Sequence, residues 1–404
     1  MIKGIRLIDS LDHFRIIQTC LHSKARAGEL LTPHGTVATP VFLPVGSQAT
    51  VKTLTPEDVK DIGLAMILAN TYHLYLRPGI ATIEKMGDLH KFMAWDRAIL
   101  TDSGGYQIFS LASLRQVSDE GVVFRSHIDG SEHLITPELA IQFQEALGAD
   151  IIMTLDECPA HDDSFEKVNR AMSRTHQWAE RCQRAQRRSD QALYAIVQGG
   201  MSPQLRHESA EYLTSLGFSG YAIGGLSLGE PKKVTLAMTE ETVASLPENK
   251  PRYLMGVGSP EDLLEGIARG VDIFDSALPT RVARNGAFFT HSGRVNISNT
   301  VYKQMELPIE PGCDCYTCQT FSAAYLHHLF NGDELLAYRL ATIHNLRFIS
   351  NLMRKARSAI QDGTFNSFRE NFLSSYKPTD EQVRLNQKQK WLKSRRLREK
   401  PISD

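Results

Sequence analysis

Eight apolar runs of strand length, separated by segments with helix punctuation, set the narrowest limit on what this chain can fold into. They are VFLPVG (41–46), AMILAN (65–70), AILTDSGG (98–105), ADIIMTLDE (149–157), ALYAIVQGG (192–200), GYAIGG (220–225), RYLMGVG (252–258) and VDIFDS (271–276). Most are continuous rather than alternating, as strands of a parallel sheet buried on both faces are. In the gaps, Thr55-Pro56, Thr136-Pro137, Ser202-Pro203 and Ser259-Pro260 each set a capping residue before a proline at the first helical position. Gly148, Gly217 and Gly270 stand where three of those helices should end. Residues 163–187 read as one longer amphipathic helix. Eight strand–helix units within residues 41–290 match an α/β fold of the (β/α)8 TIM-barrel type. A doubly wound sheet is the competing architecture, but no GxGxxG opens the first unit.

The rest of the chain is read around that barrel. Residues 1–40 are expected to form an N-terminal antiparallel flank, with a turn at His34-Gly35. An insertion, VVFRSHIDGSEHLI (122–135), reads as a hairpin turning at Asp129-Gly130. Residues 291–372 follow the barrel as a C-terminal subdomain packed on it, and 373–404 form a basic tail with Trp391 among its Lys and Arg residues. Such a tail either touches a nucleic-acid backbone nonspecifically or is a solvated, poorly ordered terminus, and the second reading is preferred. With 42% hydrophobic and 23% charged residues among 404, the chain has the balance of a soluble globular protein with ample core. A net charge of −1 rules out a globally basic nucleic-acid binder and leaves room for a local basic face. No apolar run approaches the roughly 18 residues of a membrane span. The N-terminus lacks a signal peptide's apolar centre, so a cytoplasmic location is expected.

In such a barrel the chemistry sits where strands end and loops begin. Polar groups stand at several of those ends: Asp102 in TDSGGYQ, Asp156-Glu157, Gln198-Gly199-Gly200, Gly224-Gly225 and Asp275. The stretch GVDIFDSALPTRVARNG (270–286) reads as a strand that delivers Asp275 and is stopped by proline, followed by a loop carrying Arg281 and Arg284. A carboxylate beside guanidinium groups suits a nucleophile acting on a phosphate-bearing substrate. Taken alone, the stretch reads equally as a capping Asp followed by surface arginines. Three acids and a glutamine gathered at one mouth argue for a site, because like charges brought together cost stability.

Downstream, Cys313, Cys315 and Cys318 lie in a knuckle, PGCDCYTCQ. In a reducing compartment three close thiols point to metal rather than disulfides. A closed tetrahedral zinc site needs a fourth ligand. His327, His328 and His344 are available, and His344, inside a strongly periodic helical segment, is favoured. Three thiolates and an imidazole leave no open position for water, so the zinc is expected to be structural.

These segments together resemble the tRNA-guanine transglycosylases, or queuine tRNA-ribosyltransferases, of the bacterial type. The resemblance covers residues 13–372. It rests on TDSGGYQ (101–107), LDEC (155–158), VQGG (197–200), GGLSLGE (224–230), MGVG (255–258), FDSALPTRVARNG (274–286) and the CxCxxC set with its histidine. It implies exchange of guanine-34 in the anticodon of particular tRNAs for a 7-deazaguanine, through a ribose held covalently on a carboxylate. By motif position Asp275 is implied as the nucleophile and Asp102 as the general acid/base. Asp156, Gln198, Gly225 and Leu226 are implied as contacts to the base edge, and Tyr106 and Met255 as the faces that sandwich it. Arg281 and Arg284 would meet ribose and phosphate around the flanking uridines.

Two departures from the family pattern stand out: Ser276 follows the nucleophile where bacterial members carry cysteine, and Leu228 replaces valine. A bulky Leu228, together with Cys158, implies the small base preQ1 rather than bulky queuine. The family also implies one structural zinc per chain and a homodimer, with segment 47–52 and the Tyr325 helix as the expected interface. The same exchange using queuine directly, a noncatalytic tRNA-binding subunit and a sugar hydrolase are the competing readings. Retention of Asp102, Asp156, Gln198 and Asp275 speaks against the noncatalytic subunit.

Overall fold

The computed structural model of the chain describes residues 13–111, 115–383 and 385–386. Three antiparallel strands come first: β1 (Phe14–Thr19), β2 (Arg26–Thr32) and β3 (Gly35–Thr39). The main sheet begins with β4 (Val41–Pro44), β5 (Met66–Asn70) and β6 (Ala98–Asp102). It is then interrupted by a small antiparallel sheet of β7 (Arg115–Val117), β8 (Val122–Arg125) and β9 (Glu132–Ile135). It resumes with β10 (Ile151–Met153), β11 (Ala192–Val197), β12 (Gly220–Ile223), β13 (Arg252–Leu254) and β14 (Ile273–Ser276). These eight strands lie in the order β4-β14-β13-β12-β11-β10-β6-β5, and their pairings are parallel. A parallel bridge from Val45 to Leu68 joins the two ends into a barrel.

Alternation along the strands divides the apolar residues between two layers. Val41, Leu43, Met66, Leu68, Tyr194 and Tyr253 belong to the cluster that fills the lumen, and Phe14, Leu30 and Val37 of the N-terminal sheet close its lower end. Phe42, Ile67, Ile99 and Ile152 face outward into the larger core under the helices. The N-terminal sheet is tied on by charge as well as by packing. Arg26 grips Asp272 with two bonds of 2.9 and 2.6 Å, and both side chains are buried. Asp272 also accepts from the backbone N–H of Arg252 at 2.7 Å.

The expected helix punctuation is present at three of the four Ser/Thr-Pro pairs. Thr55, Thr136 and Ser202 each accept from the N–H three residues on. Ser259 does not, because its hydroxyl donates to Asp262 at 2.6 Å instead. Gly148, Gly217 and Gly270 all take positive φ at the helix ends. The long helix runs Phe165–Ala185. Two segments differ from the sequence reading. The chain after β6 turns at once into a helix, Gly105–Leu111, and the expected hairpin is two strands of a three-stranded sheet. The residues after β14 form a helix, Leu278–Arg284, where a loop was expected. Pro279 sits in its first turn, where a missing N–H costs nothing, so the proline starts the helix rather than merely stopping the strand.

Beyond the barrel, β15 (Ala287–Thr290) and β16 (Gly293–Asn296) form a hairpin, and a helix of 27 residues, Leu335–Gln361, runs back along the barrel. From that helix Arg357 donates to the carbonyls of Ala38, Thr39 and Pro40 at 2.9–3.2 Å. The first residues of the segment read as a tail are seated: Tyr376 is buried against Phe372, and Lys377 bridges to Gly293. Trp391 and the rest of the basic run lie outside the described residues. Among the described residues, no helix is long and apolar enough to cross a membrane.

Candidate active site and metal centre

The parallel register carries polar side chains to one rim of the barrel. Asn70 and Asp102 are paired residues at the ends of β5 and β6. Asn70 Nδ2 and, at 2.7 Å, Gln107 Nε2 donate to Oδ2 of Asp102, and the N–H of Thr71 donates to Oδ1 at 3.0 Å. Burial pushes the Asp102 carboxyl up to about 6 against these donors, and the charge of Asp275 adds to the rise.

Asp275, at the end of β14, is held differently. Tyr253 Oη donates to its Oδ1 at 2.6 Å, and the N–H of Gly256 donates to the same oxygen at 2.9 Å. Burial raises this carboxyl as well, opposed by those two donors. Tyr253 pairs with Ile273 in the β13–β14 register and shares its lumen-facing column, so its hydroxyl reaches the carboxylate two residues further along β14.

Asp156 follows β10 and accepts from Gln198 Nε2 at 2.7 Å. Burial brings it to about 6, with Gln198 opposing and the charge of Asp102 adding. Asp102 is thus coupled to both other acids. A Cβ on Gly105 would lie 2.9 Å from Asp156 Oδ1, and Cβ atoms on Gly224 and Gly225 would lie 2.8 and 2.4 Å from the Gln198 amide atoms. These glycines let three loops close on one another at the rim. Gln198 is wholly buried, yet its Oε1 has no hydrogen-bond partner among the described residues, and neither has Gln107 Oε1. Two orphaned acceptors beside two raised carboxyls mark a place prepared for a polar ligand.

Around this centre, Leu226 is buried, and Leu228 is half-buried in a loop gathered by Glu230. The N–H groups of Ser227, Leu228 and Gly229 all donate to the Glu230 carboxylate, as does Thr235 Oγ1 at 2.6 Å. Burial would raise Glu230, but Thr235 and the loop amides outweigh it and hold the carboxyl below its ordinary range. Cys158 lies close enough to feel the charge of Asp156, and burial pushes its thiol up. Tyr106 leaves 39% of its surface open at the start of the helix after β6, and Met255 stands just beyond β13 against the lumen cluster. Arg281 is exposed, and Arg284 turns one nitrogen back onto the Thr280 carbonyl at 2.8 Å. Sequence reasoning passed over Asn70, Tyr253 and Glu230. Asn70 had a visible signal, since it ends an apolar run as Asp102 does.

At the metal centre, Cys313, Cys315, Cys318 and His344 bring four ligand atoms within 4.8 Å of one another. The three sulfurs stand 3.9, 3.6 and 3.2 Å from His344 Nδ1, bracketing the roughly 3.5 Å between sulfur and nitrogen ligands on a tetrahedral metal. His344 Nε2 donates to the Phe289 carbonyl at 2.7 Å, which leaves Nδ1 as the lone-pair nitrogen facing the thiols. The set can hold a metal ion. His327 is committed elsewhere, to the Ile297 carbonyl and Asn331.

A parallel barrel with coupled, buried carboxyls at its C-terminal rim and a Cys3His centre beside it defines a metal-binding (β/α)8 enzyme. Comparison with known proteins narrows the class. The family model for queuine tRNA-ribosyltransferase matches residues 20–378. A queuine tRNA-ribosyltransferase of Dehalococcoides mccartyi is 63% identical over 379 residues, covering 94% of this chain and 97% of that protein. Proteins of the same description from Halothermothrix orenii and Herpetosiphon aurantiacus are 53% and 56% identical, across 90% and 89% of this chain and 97% and 92% of theirs. The chain belongs to the queuine tRNA-ribosyltransferase family, the tRNA-guanine transglycosylases, and is a pentosyltransferase.

Proposed function

We propose that this enzyme exchanges guanine-34 in the anticodon of tRNA for preQ1 through a covalent bond between Asp275 and the ribose. The observation that carries the reading is the contrast between two carboxyls. The donors to Asp275, Tyr253 Oη and the Gly256 N–H, both converge on Oδ1, which leaves Oδ2 without a donor among the described residues. Asp102 has donors on both oxygens, and burial has brought it near neutrality. One acid is arranged to attack and the other to trade a proton. In the first step Asp275 Oδ2 bonds to C1′ of the ribose as the bond from C1′ to N9 breaks, its electrons leave with guanine, and Asp102 gives its proton to guanine N9. In the second, Asp102 takes the N9 proton of the incoming base, which displaces the carboxylate from C1′.

Asp156, Gln198 and the Gly225-Leu226 backbone would grip the purine edge, with Tyr106 and Met255 on its faces. Arg281 and Arg284 would meet the neighbouring ribose and phosphates. Leu228 and Cys158 beside the base favour a small 7-substituent over the bulk of queuine. Zinc is the metal that suits three thiolates and one imidazole, with no position left for catalysis. Val301, Leu307, Tyr316, Tyr325 and Leu335 are exposed apolar residues of the C-terminal region, and that face, with segment 47–52, is the proposed homodimer contact. A tRNA substrate and six free cysteines fit a cytoplasmic setting. Incubating the enzyme and tRNA with labelled guanine, preQ1 and queuine in parallel tests the reading. Guanine and preQ1 should enter the tRNA, and preferential incorporation of queuine would reverse the choice of base.

A further inference from the structure

Arg206 is the one guanidinium in the described residues that is completely buried, and none of the ion pairs formed there includes it. It stands in the first turns of helix Pro203–Ser215, behind the rim rather than on it. Its Nε donates to the Gly200 carbonyl at 2.7 Å, one terminal nitrogen donates to the Gly224 carbonyl at 3.0 Å, and the other approaches Thr242 Oγ1 at 3.5 Å. Gly200 closes the segment that begins with Gln198 after β11. Gly224 opens the segment Gly224–Leu226 after β12. The guanidinium therefore fastens two neighbouring strand-end loops by their backbones.

The strand ends beneath those loops are joined by the Gly224 N–H to the Val197 carbonyl at 3.0 Å, but beyond that point the glycine segments are loosely constrained. Gly199, Gly200 and Gly225 all take positive φ, and glycine backbones carry the widest conformational freedom of any residue. The space between the loops is nonetheless tight: a Cβ on Gly225 would lie 2.4 Å from Gln198 Oε1. A rigid planar fork with donors at fixed separation suits this task, whereas a flexible ammonium group could satisfy only part of it. Burying a cation without a carboxylate partner is costly, so its presence calls for a return elsewhere. The charge of Glu230 also reaches it, which places it beneath the same corner of the rim.

We propose that Arg206 is a positioning residue for the purine: it sets the gap between the Gln198 amide and the Gly224–Leu226 backbone, so that both meet one base edge. It touches neither substrate nor reacting atoms. This rests on the base-pocket reading of Asp156 and Gln198 given above. Loss of the fork should weaken guanine binding selectively, because tRNA is held mainly by contacts outside this corner.

The test is steady-state exchange with Arg206→Gln and Arg206→Lys, each first checked for folding and metal content, alongside Asp156→Asn. Arg206→Gln should raise KM for free guanine tenfold or more, while KM for tRNA stays within twofold. Arg206→Lys, which keeps the charge and one hydrogen bond, should fall between it and the parent. If the glutamine variant does not fold, the lysine variant carries the test, with a threefold or greater rise in KM for guanine expected. A KM for guanine unchanged in the Arg206 variants but raised in Asp156→Asn overturns the proposal alone. An unchanged value in all three overturns the base pocket with it. A fall in kcat with the KM values for guanine and tRNA raised alike, the mark of general loosening, also overturns it.

Discussion

Tyr253 and Asp275 meet through a hydrogen bond of 2.6 Å across adjacent strands of the barrel, from the phenol to Oδ1. Burial works to protonate this carboxyl, and the phenol works to keep it ionised. Removing a donor from the charged form must therefore raise the pKa. A hydrogen bond to a charged group is stronger than one between neutral partners, so the loss should be visible in the pH profile. In Tyr253→Phe the acid limb of covalent-adduct formation should move to higher pH, with the rate approaching the parent's at alkaline pH. Single-turnover adduct trapping across pH measures this, and an unmoved limb would remove Tyr253 from the account.

The two carboxyls should separate cleanly in their phenotypes. Asp275→Ala should abolish the tRNA adduct that survives a denaturing gel, and an undiminished adduct would reject Asp275 as the nucleophile. Asp102→Asn should leave tRNA binding intact while base exchange collapses, because the amide presents hydrogen bonds but cannot trade the proton. Normal turnover in that variant would strip Asp102 of its acid/base role.

Much of this arrangement was legible in the chain itself, and the illegible parts share a cause. Apolar runs announced all eight barrel strands, and the polar residues ending them announced Asp102, Asp156, Gln198 and Asp275. Tyr253 gave no such sign: it sits inside RYLMGVG, and only the register of β13 against β14 brings its hydroxyl to Asp275. Arg206 looks like any surface arginine in PQLRHESAEYLTS, because burial by two foreign loops is a tertiary fact. The helix Leu278–Arg284 was hidden by Pro279, a residue that ends strands and begins helices with equal ease.

Asp156 also ties the site to stability. Its carboxyl titrates near 6 in the fold against 3.8 as a free group, so between those values the folded chain binds more protons than the unfolded one. Stability contributed by this group is therefore highest below about pH 4, declines as pH rises through about 6, and then levels. The gap corresponds to about 3 kcal/mol as an order of magnitude. Asn cannot ionise. The unfolding free energy of Asp156→Asn minus that of the parent should increase from pH 5 to pH 7.5. Denaturant titrations at the two pH values measure the difference, in which titration of groups not coupled to Asp156 cancels, and a flat difference would show that Asp156 is not raised.

The metal centre is expected to be a condition of folding rather than of chemistry. Elemental analysis should find about one zinc per chain, lost in Cys315→Ala. Because three thiolates and His344 join the knuckle to helix Leu335–Gln361, which packs along the barrel, that loss should lower thermal stability markedly. A metal-free protein with the parent's melting temperature would refute the centre.

Arg26 and Asp272 provide the last test, at the opposite end of the barrel from the chemistry. Truncating Arg26 to alanine leaves the buried Asp272 carboxylate with the Arg252 N–H as its remaining hydrogen-bond donor among the described residues, and with the Arg252 guanidinium near enough to feel its charge. Breaking one side of such a pair costs about 3–5 kcal/mol, most of it the penalty of an uncompensated charge. The same truncation made in Asp272→Asn should cost less than half as much, since no charge is then stranded. Asp272 lies on the β14 approach to Asp275, yet the two are separated by the apolar pair Ile273 and Phe274, both buried in the packed sheet. Exchange rates measured well below the melting temperature should therefore stay within a few-fold of the parent. Equal costs in the two backgrounds would mean that Arg26 acts through packing alone, and a large loss of kcat would mean that the lower end of the barrel helps to place the nucleophile.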